Sequence, residues 1–420
     1  MITRRQLLYG TGVASLVMAV GSCSNKGAST AEDLRGATAV LTLPLDVTPH
    51  VADAATASAR IAWQVMIGHA DVRTANAVVS PSSLAVTLAM LAEGAAGDSL
   101  ASLDEAFGLT GDDRSAAVGA LRQALASYED LPASVNPDDP PETPVVHQAN
   151  RVVILDGAEI DPDFLDRLSS YYDTGAKRLP REDAKADLDA WVTKHTAGLI
   201  RGSAIEIAPG IRLITQYALL FAAKWRQQFL FDDVPLHFTT GDGATANINA
   251  LSDTFSIPYA KTEQWEAVRL AYDDVLAMDV ILPRPGTHPS ELSFEAIQES
   301  AAVLGQAEVL VVDLTMPPSD ITTKWELLAP LADQGITLGE LGRIFGGATV
   351  DQMAQQARLI VTAKGTVGAA LTEVAIAVSA GPAVDVELNV DRPFIMRVLD
   401  TRSGWPVFLT IVNNPTDLPD

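Results

Sequence analysis

Apolar positions in the first half of the chain recur mostly at helical spacing. Between Ala54 and Ala70, Ile61, Val65 and Met66 share one face, which breaks off before Asn76. Asn76 to Ser83 turns a short strand into a helix with Pro81 in its first turn, and the helix runs through Leu84, Leu88 and Leu91 to Gly94. Asp98 or Ser99 is placed to cap the next helix, which carries Leu100 and Leu103 and stops near Gly108. Another spans about Arg114 to Tyr128. Val145–Leu155 reads as a buried strand. Asp161–Tyr172 and Glu182–Thr196 read as helices, the latter with Leu188, Trp191 and Val192 along it. Ile211–Trp225 has hardly a charge and fits a central strand covered on both faces.

Strand patterns dominate later. They fill Leu236–Leu282 around a tight turn at Gly241-Asp242-Gly243, with Met278–Leu282 buried. Leu292–Leu304 is expected as a helix, Val309–Leu314 as a strand and Trp325–Leu331 as a helix. Phe394–Leu399 and Val407–Val412 form a hairpin through Arg402-Ser403-Gly404. Helices early and strands late make the chain α+β.

Thr362–Val390 departs from this regularity. Thr366, Gly368, Ala370, Thr372, Val374, Ile376 and Val378 fall on one face of an extended strand, small at first and β-branched later. Ser379-Ala380-Gly381-Pro382 then ends the run with residues of an exposed turn. The pattern alone favours an ordinary edge strand, and it also suits a segment that is a loop in one state and a strand in another.

Composition narrows the class. The chain has 420 residues, 48% of them hydrophobic, enough for a large core. The acidic, Pro-rich stretch 137–144 is an exposed connector, not a domain boundary. A net charge of −24 disfavours nucleic acid and anionic lipid as partners.

The N-terminus carries its own signal. Met1–Gln6 is basic, Leu7–Val20 is a short apolar core, and Val20-Gly21-Ser22 leads into Cys23, the one cysteine. Residues 1–22 are expected to be a signal peptide, 23–52 a tether and 53–420 the folded domain. Val-Gly-Ser-Cys resembles a bacterial lipobox, which implies lipidation of Cys23, attachment to the cell envelope and export. Thr3–Leu8 also resembles a twin-arginine signal. Neither a disulfide framework nor a thiol nucleophile is available to the mature body.

No candidate active site emerges. His50, His69, His147, His195, His237 and His288 show no metal-ligand spacing, and no nucleophile elbow or phosphate-binding glycine loop occurs. The pairs Asp138-Asp139 and Asp273-Asp274 fall on turns and read as solvated charge. Neither enzyme nor cofactor is expected.

Several collinear motifs resemble the serpin family over roughly residues 55 to 418. Asn76–Ser83 is similar to N-x-x-x-SP-x-S, Gly94–Ser99 to G-A-x-G-x-T, and Leu188–Val192 with Thr196 and Gly198 to I-N-x-W-V-x-x-x-T-x-G. Phe221, Trp225 and Phe229 fit F-K-G-x-W-x-x-x-F, Lys364-Gly365-Thr366 fits the hinge, and Asp391–Phe394, Phe408-Leu409 and Asn414-Pro415 fit the C-terminal region. The resemblance implies three β-sheets, about eight or nine helices and an exposed reactive loop. It implies a monomeric suicide inhibitor whose partner is a serine protease. The hinge would be Gly365, Thr366, Val367, Gly368, Ala369 and Ala370, and the scissile bond Ser379-Ala380. The small residues there suit an elastase-like or subtilisin-like enzyme. A non-inhibitory binding protein on the same fold is the alternative.

The departures from the family lie where insertion is controlled. Of the residues assigned to sheet opening (Ser80, Ser83, Tyr217, Gln355 and Trp225), Gln355 replaces a frequent His and Tyr217 a usual Asn; both keep hydrogen-bonding capacity. Ala363 and Met316 together replace a Glu and its Lys partner. Val367 and Leu371 replace the usual Glu and Ala and are expected to point outward.

Overall fold

The computed structural model describes residues 31–136, 139–367 and 383–417. The chain begins with β1 (Glu32–Leu34), α1 (Val51–Ile67), β2 (Ala77–Val79), α2 (Pro81–Gly94), α3 (Gly97–Phe107) and α4 (Gly111–Ala124). β3 (Val145–Leu155), α5 (Pro162–Tyr172), β4 (Ala176–Leu179), α6 (Arg181–His195) and β5 (Leu213–Lys224) follow. Next come β6 (Phe231–Thr239), β7 (Thr245–Lys261), β8 (Trp265–Ala271), β9 (Leu276–Pro283), α7 (Phe294–Leu304), β10 (Val309–Met316) and β11 (Ser319–Glu326). The chain closes with α8 (Leu328–Asp333), β12 (Ala354–Val361), β13 (Gly365–Thr366), β14 (Val386–Asn389), β15 (Phe394–Asp400) and β16 (Trp405–Val412).

One sheet has the order β1-β4-β3-β5-β13-β12-β11. The other runs β14-β10-β7-β8-β9-β15-β16-β2, with β6 paired to β7. The 17-residue β7 carries the pairing between its two parts, so the second and third of the three expected sheets share one strand. Among the described residues there are eight α-helices.

α2 shows how local chemistry fixes an element. Ser80 is extended, its Oγ accepts the Ser83 N–H at 3.2 Å, and Pro81 occupies the first turn without forfeiting an intrahelical bond. Nearly every α2 residue is buried between the two sheets. Asp161 with Pro162 starts α5 in the same way, accepting from the Asp163 N–H at 2.9 Å. α3 starts two residues before the expected cap. Ala96 is its cap and makes no side-chain bond, because the Ser99 hydroxyl instead accepts from the Glu340 N–H at 2.9 Å. Trp325 belongs to β11, not to a helix: it pairs with Gln355 and stacks on His69 at 4.5 Å.

Residues 31–50 lie along the domain, not free of it. β1 pairs antiparallel with β4, and the following segment crosses to α5 and α4. There the Gly36 N–H donates to Ser169 Oγ at 2.9 Å and the Leu43 N–H to Gln123 Oε1 at 3.0 Å. A Cβ on Gly36 would lie 2.5 Å from the Asp166 Cα, so the approach requires glycine. Cys23 and the signal-like residues lie outside the described residues.

The core of the second sheet contains a charged knot. Asp279 of β9 is fully buried and accepts from Arg269 at 2.6 Å and 3.0 Å and from Arg397 at 2.5 Å and 3.2 Å. Arg397 also donates to the Ile297 carbonyl at 2.6 Å, which fixes α7 against the strands. Asp279→Ala leaves two buried guanidiniums without their anion, and a loss of about 3–5 kcal/mol is expected. A lowered urea midpoint checks this; an unchanged midpoint would show that the knot is dispensable.

Candidate functional site

Gly365 and Thr366 form the shortest strand of the first sheet and sit between two long ones. β13 pairs antiparallel with β5 (Gly365 with Lys224, Thr366 with Ala223) and with β12 (Thr366 with Val361). β5 and β12 therefore run parallel to each other, held apart by two residues. Among the described residues no backbone ladder joins them further down. A cavity of about 80 Å³ lies there, lined by Thr215–Leu219 of β5 and Ala354–Arg358 of β12. Ser80, Ser83 and Leu84 of the α2 start lie beneath it, and Trp191 and Val192 of α6 cover it.

The hinge is fastened from several directions. Thr366 is fully buried, and its Oγ1 lies 2.6 Å from the Tyr272 hydroxyl. Tyr272 is held between Trp225, stacked at 4.6 Å, and Phe221, edge-on at 5.0 Å. Burial pushes the Tyr272 phenol far up, more than its hydrogen bond to Thr366 lowers it, so it stays protonated. Trp225 also grips the turn before β13. Its indole N–H donates to the Thr362 carbonyl at 2.9 Å, its backbone N–H to the Lys364 carbonyl at 3.0 Å, and the Phe229 N–H to the Ala363 carbonyl at 3.0 Å. A Cβ on Gly365 would lie 2.2 Å from the Ala223 carbonyl oxygen, so no larger residue fits against β5 there.

Of the residues expected to control sheet opening, Gln355, Ser80 and Ser83 are brought together. The Ser80 N–H donates to Gln355 Oε1 at 3.2 Å, Gln355 Nε2 donates to the Ser80 carbonyl at 3.0 Å, and the Ser80 and Ser83 hydroxyls are 2.7 Å apart. Tyr217 lines the same cavity, but its hydroxyl turns away to Gln148 Oε1 at 3.0 Å. Trp225 belongs to the hinge turn instead. Val367 does not point outward: it is 4% exposed and packs with Val135, Val145, Leu220 and Ala222 on the α6 side of the sheet. Its immediate neighbour Thr366 faces the opposite side, as strand alternation requires. Met316 is fully buried and Ala363 packs against the core, so no charge is left stranded where the Glu–Lys pair is missing. Gly368, Ala369, Ala370, Ser379 and Ala380 lie outside the described residues.

Three contacts were not legible as sites in the sequence. Tyr272 follows β8 with no motif marking it as the partner of Thr366. Gln352 and Gln356 carry no signal beyond polarity. His147 and His195, 48 positions apart, meet at 2.8 Å. Among the described residues no group of His, Cys, Asp or Glu suits a metal ion.

A two-residue antiparallel strand thus sits between two long parallel strands at one end of a cavity in the first sheet. The family model described as "Serpin (serine protease inhibitor)" matches residues 57–415, and the chain belongs to the serpin family. An uncharacterized serpin-like protein of Thermococcus kodakarensis is 25% identical over 360 residues, covering 81% of each chain. The leukocyte elastase inhibitor of Bos taurus is 25% identical over 369 residues, covering 81% of this chain and 93% of its own. Among solved structures, the native state of the thermophilic serpin tengpin aligns with TM-score 0.76 at 18% identity, covering 92% of this chain and all of that one. Thyroxine-binding globulin in complex with thyroxine aligns with TM-score 0.71 at 19% identity, covering 87% and 99%.

Thr366→Val keeps the branched shape and removes the hydroxyl bonded to Tyr272. A loss of about 1 kcal/mol is expected from thermal or urea unfolding. Tyr272→Phe should lose a similar amount, and the double variant little more than either alone. Fully additive losses would show that the two hydroxyls do not stabilise each other.

Proposed function

We propose that this protein is a suicide-type inhibitor of serine proteases of elastase-like or subtilisin-like preference. The single observation that carries the reading is β13, whose Gly365 and Thr366 pair with β5 while Thr366 also pairs with β12, at the head of the cavity. A strand that continues from Thr366 is covalently positioned to enter; no other segment has that connection.

The register then says where each residue would go. Continuing β13 by one pair per residue brings Thr372 level with Tyr217 on β5 and with Gln355 on β12. β5 offers pairing positions as far as Leu213, opposite residue 376, and β12 as far as Ala354, opposite residue 373. Thr366, Gly368, Ala370 and Thr372 would meet the core side, where small residues avoid a clash with α2. About a dozen new backbone bonds at ~0.5–1.5 kcal/mol each supply on the order of 10 kcal/mol. That is comparable with the whole stability of a typical domain, ~5–15 kcal/mol.

In this reading the protease serine attacks the Ser379 carbonyl carbon, the Ser379-Ala380 bond breaks and an acyl-enzyme remains. The freed loop then enters the sheet and carries the attached protease with it; serpin loop insertion is itself a standard example of strand addition and strain release. The chain's own residues perform no catalysis. Cys23 would tie the inhibitor to a cell envelope after export.

The second reading, a non-inhibitory binding protein, draws on Tyr217. Its hydroxyl bonds Gln148 and not the Ser80–Gln355 group, so the control residues beneath the sheet are joined differently from the family's usual arrangement.

Incubation with pancreatic elastase or subtilisin separates the two. An inhibitor gives a covalent complex that survives boiling in detergent, and Thr366→Arg abolishes it because a guanidinium cannot occupy a fully buried strand position. Cleavage without insertion, leaving active protease and an unchanged melting temperature, would overturn the inhibitor reading. Mass spectrometry of the released fragment checks the bond.

A further inference from the structure

α6 covers the cavity beside β13, held on the sheet by an apolar cluster around Ala184 and Leu188 and, toward its C-terminal end, by polar contacts. It buries only Ala184, Leu188 and Val192. Arg151 of β3 pairs with Asp187 at 2.6 Å and lies over the Trp191 ring at 4.9 Å. Past the helix the Ala204 N–H donates to Gln356 Oε1 of β12 at 2.7 Å and the Glu206 N–H to Oε1 of Gln352, just before β12, at 3.0 Å. On the β3 side the last residue of the helix is held by an imidazole pair. His195 Nδ1 lies 2.8 Å from His147 Nε2, with the ring planes within 2° of each other and Trp191 packed on His195 at 4.6 Å. His147 Nδ1 is bonded to the Glu129 carboxylate.

The chemistry of that pair limits its charge. One proton must lie between the two facing nitrogens, so the pair keeps its bond when neutral or when it carries a single positive charge. A second charge puts N–H against N–H, and the bond is lost. We propose that the His147–His195 pair is an acid-released latch: taking up the second proton frees the end of α6 from β3 and loosens the cover over the β5–β12 cavity. Loosening matters for inhibition only if insertion occurs, so that consequence rests on the function proposed above; the latch itself does not.

The charged surroundings of His195 are Glu129 from the turn before β3, Arg151 from β3, and Lys194 from α6, with Asp187 of α6 paired to Arg151. Burial pushes His195 down to about 4, reinforced by His147, Lys194 and Arg151 and opposed by Glu129. A released imidazole returns toward its ordinary value of about 6.5. The closed arrangement is therefore fully favoured above pH ~6.5. It loses up to about tenfold in its equilibrium per pH unit as pH falls toward 4.

Hydrogen exchange on the full chain at pH 7.5, 6.5 and 5.5, corrected for intrinsic exchange, tests this directly. Protection over 181–206 should fall below pH 6.5 by up to about tenfold per unit, while α2 stays protected. His195→Gln keeps a hydrogen-bonding group without titration and should flatten that slope; His147→Gln should do the same. Gln356→Ala should loosen residues 203–206 at every pH and leave the slope in place. An unchanged slope in both histidine variants, or none in the wild type, overturns the latch. A slope that depends on His195 in a protein forming no protease complex leaves the latch standing and removes the inhibitor reading.

Discussion

β5 and β12 run parallel to each other, joined at one end through the two residues of β13, with no ladder directly between them among the described residues. A parallel pair can accept an antiparallel strand between its members only if they separate by one full strand spacing, roughly 4.8 Å on each side of the newcomer. In the proposed insertion that separation is the costly part, since α2 beneath and α6 above would have to accommodate it. At Gly365 and Thr366 it has already been made. Gly365 permits it by having no side chain against the Ala223 carbonyl, and Thr366 holds it through Tyr272.

The two faces of the sheet then divide the work. On the core side, Thr366, Tyr272, Trp225 and Phe221 make a compact aromatic and hydroxyl cluster, packed at ring distances of 4.6 to 5.0 Å. On the α6 side, Val367 enters a small apolar group with Val135, Val145, Leu220 and Ala222. Replacing a charged residue by Val367 therefore has a physical reason in this chain: a carboxylate at that position would be buried without a partner. The Ala363 and Met316 substitutions follow the same logic at the base of the loop, where the pair of opposite charges has gone as a pair.

Much of this was legible in the sequence because local signals agreed with the global pattern. The Ser80-Pro81 start of α2, the long uncharged β5 and the alternation of β3 are each dictated by residues within one element. What sequence reasoning could not supply were contacts fixed by tertiary distance. Val367 read as outward, but its burial depends on Val135 and Leu220, which only the fold brings near. Trp325 read as helical from its apolar neighbours, but pairing with Gln355 and stacking on His69 overrode that local preference. His147 and His195 had no spacing to mark them, since β3 and α6 meet through a crossover. The segment 31–50 looked like a linker because its anchors are backbone groups and single hydroxyls, which leave no periodicity to read.

The fold alone does not decide between inhibitor and binding protein, because proteins of both descriptions align over nearly their whole length. The difference is one of rates. An acyl-enzyme is trapped only if the loop enters the sheet faster than water releases it, so what matters is the barrier left after the first two residues have paired. On the core side the path beyond Thr366 leads past Leu219 and Tyr217, whose hydroxyl is bonded to Gln148. Over the α6 side stand the apolar cluster of Ala184 and Leu188 and the polar contacts: Arg151 with Asp187, the imidazole pair, Gln356 of β12 and Gln352 just before it. Polar contacts of this kind contribute modestly each and exchange readily with water. In the proposed mechanism they would let the cover yield to a strand that gains a backbone bond at each step. A cover packed like the core of the second sheet could not do so.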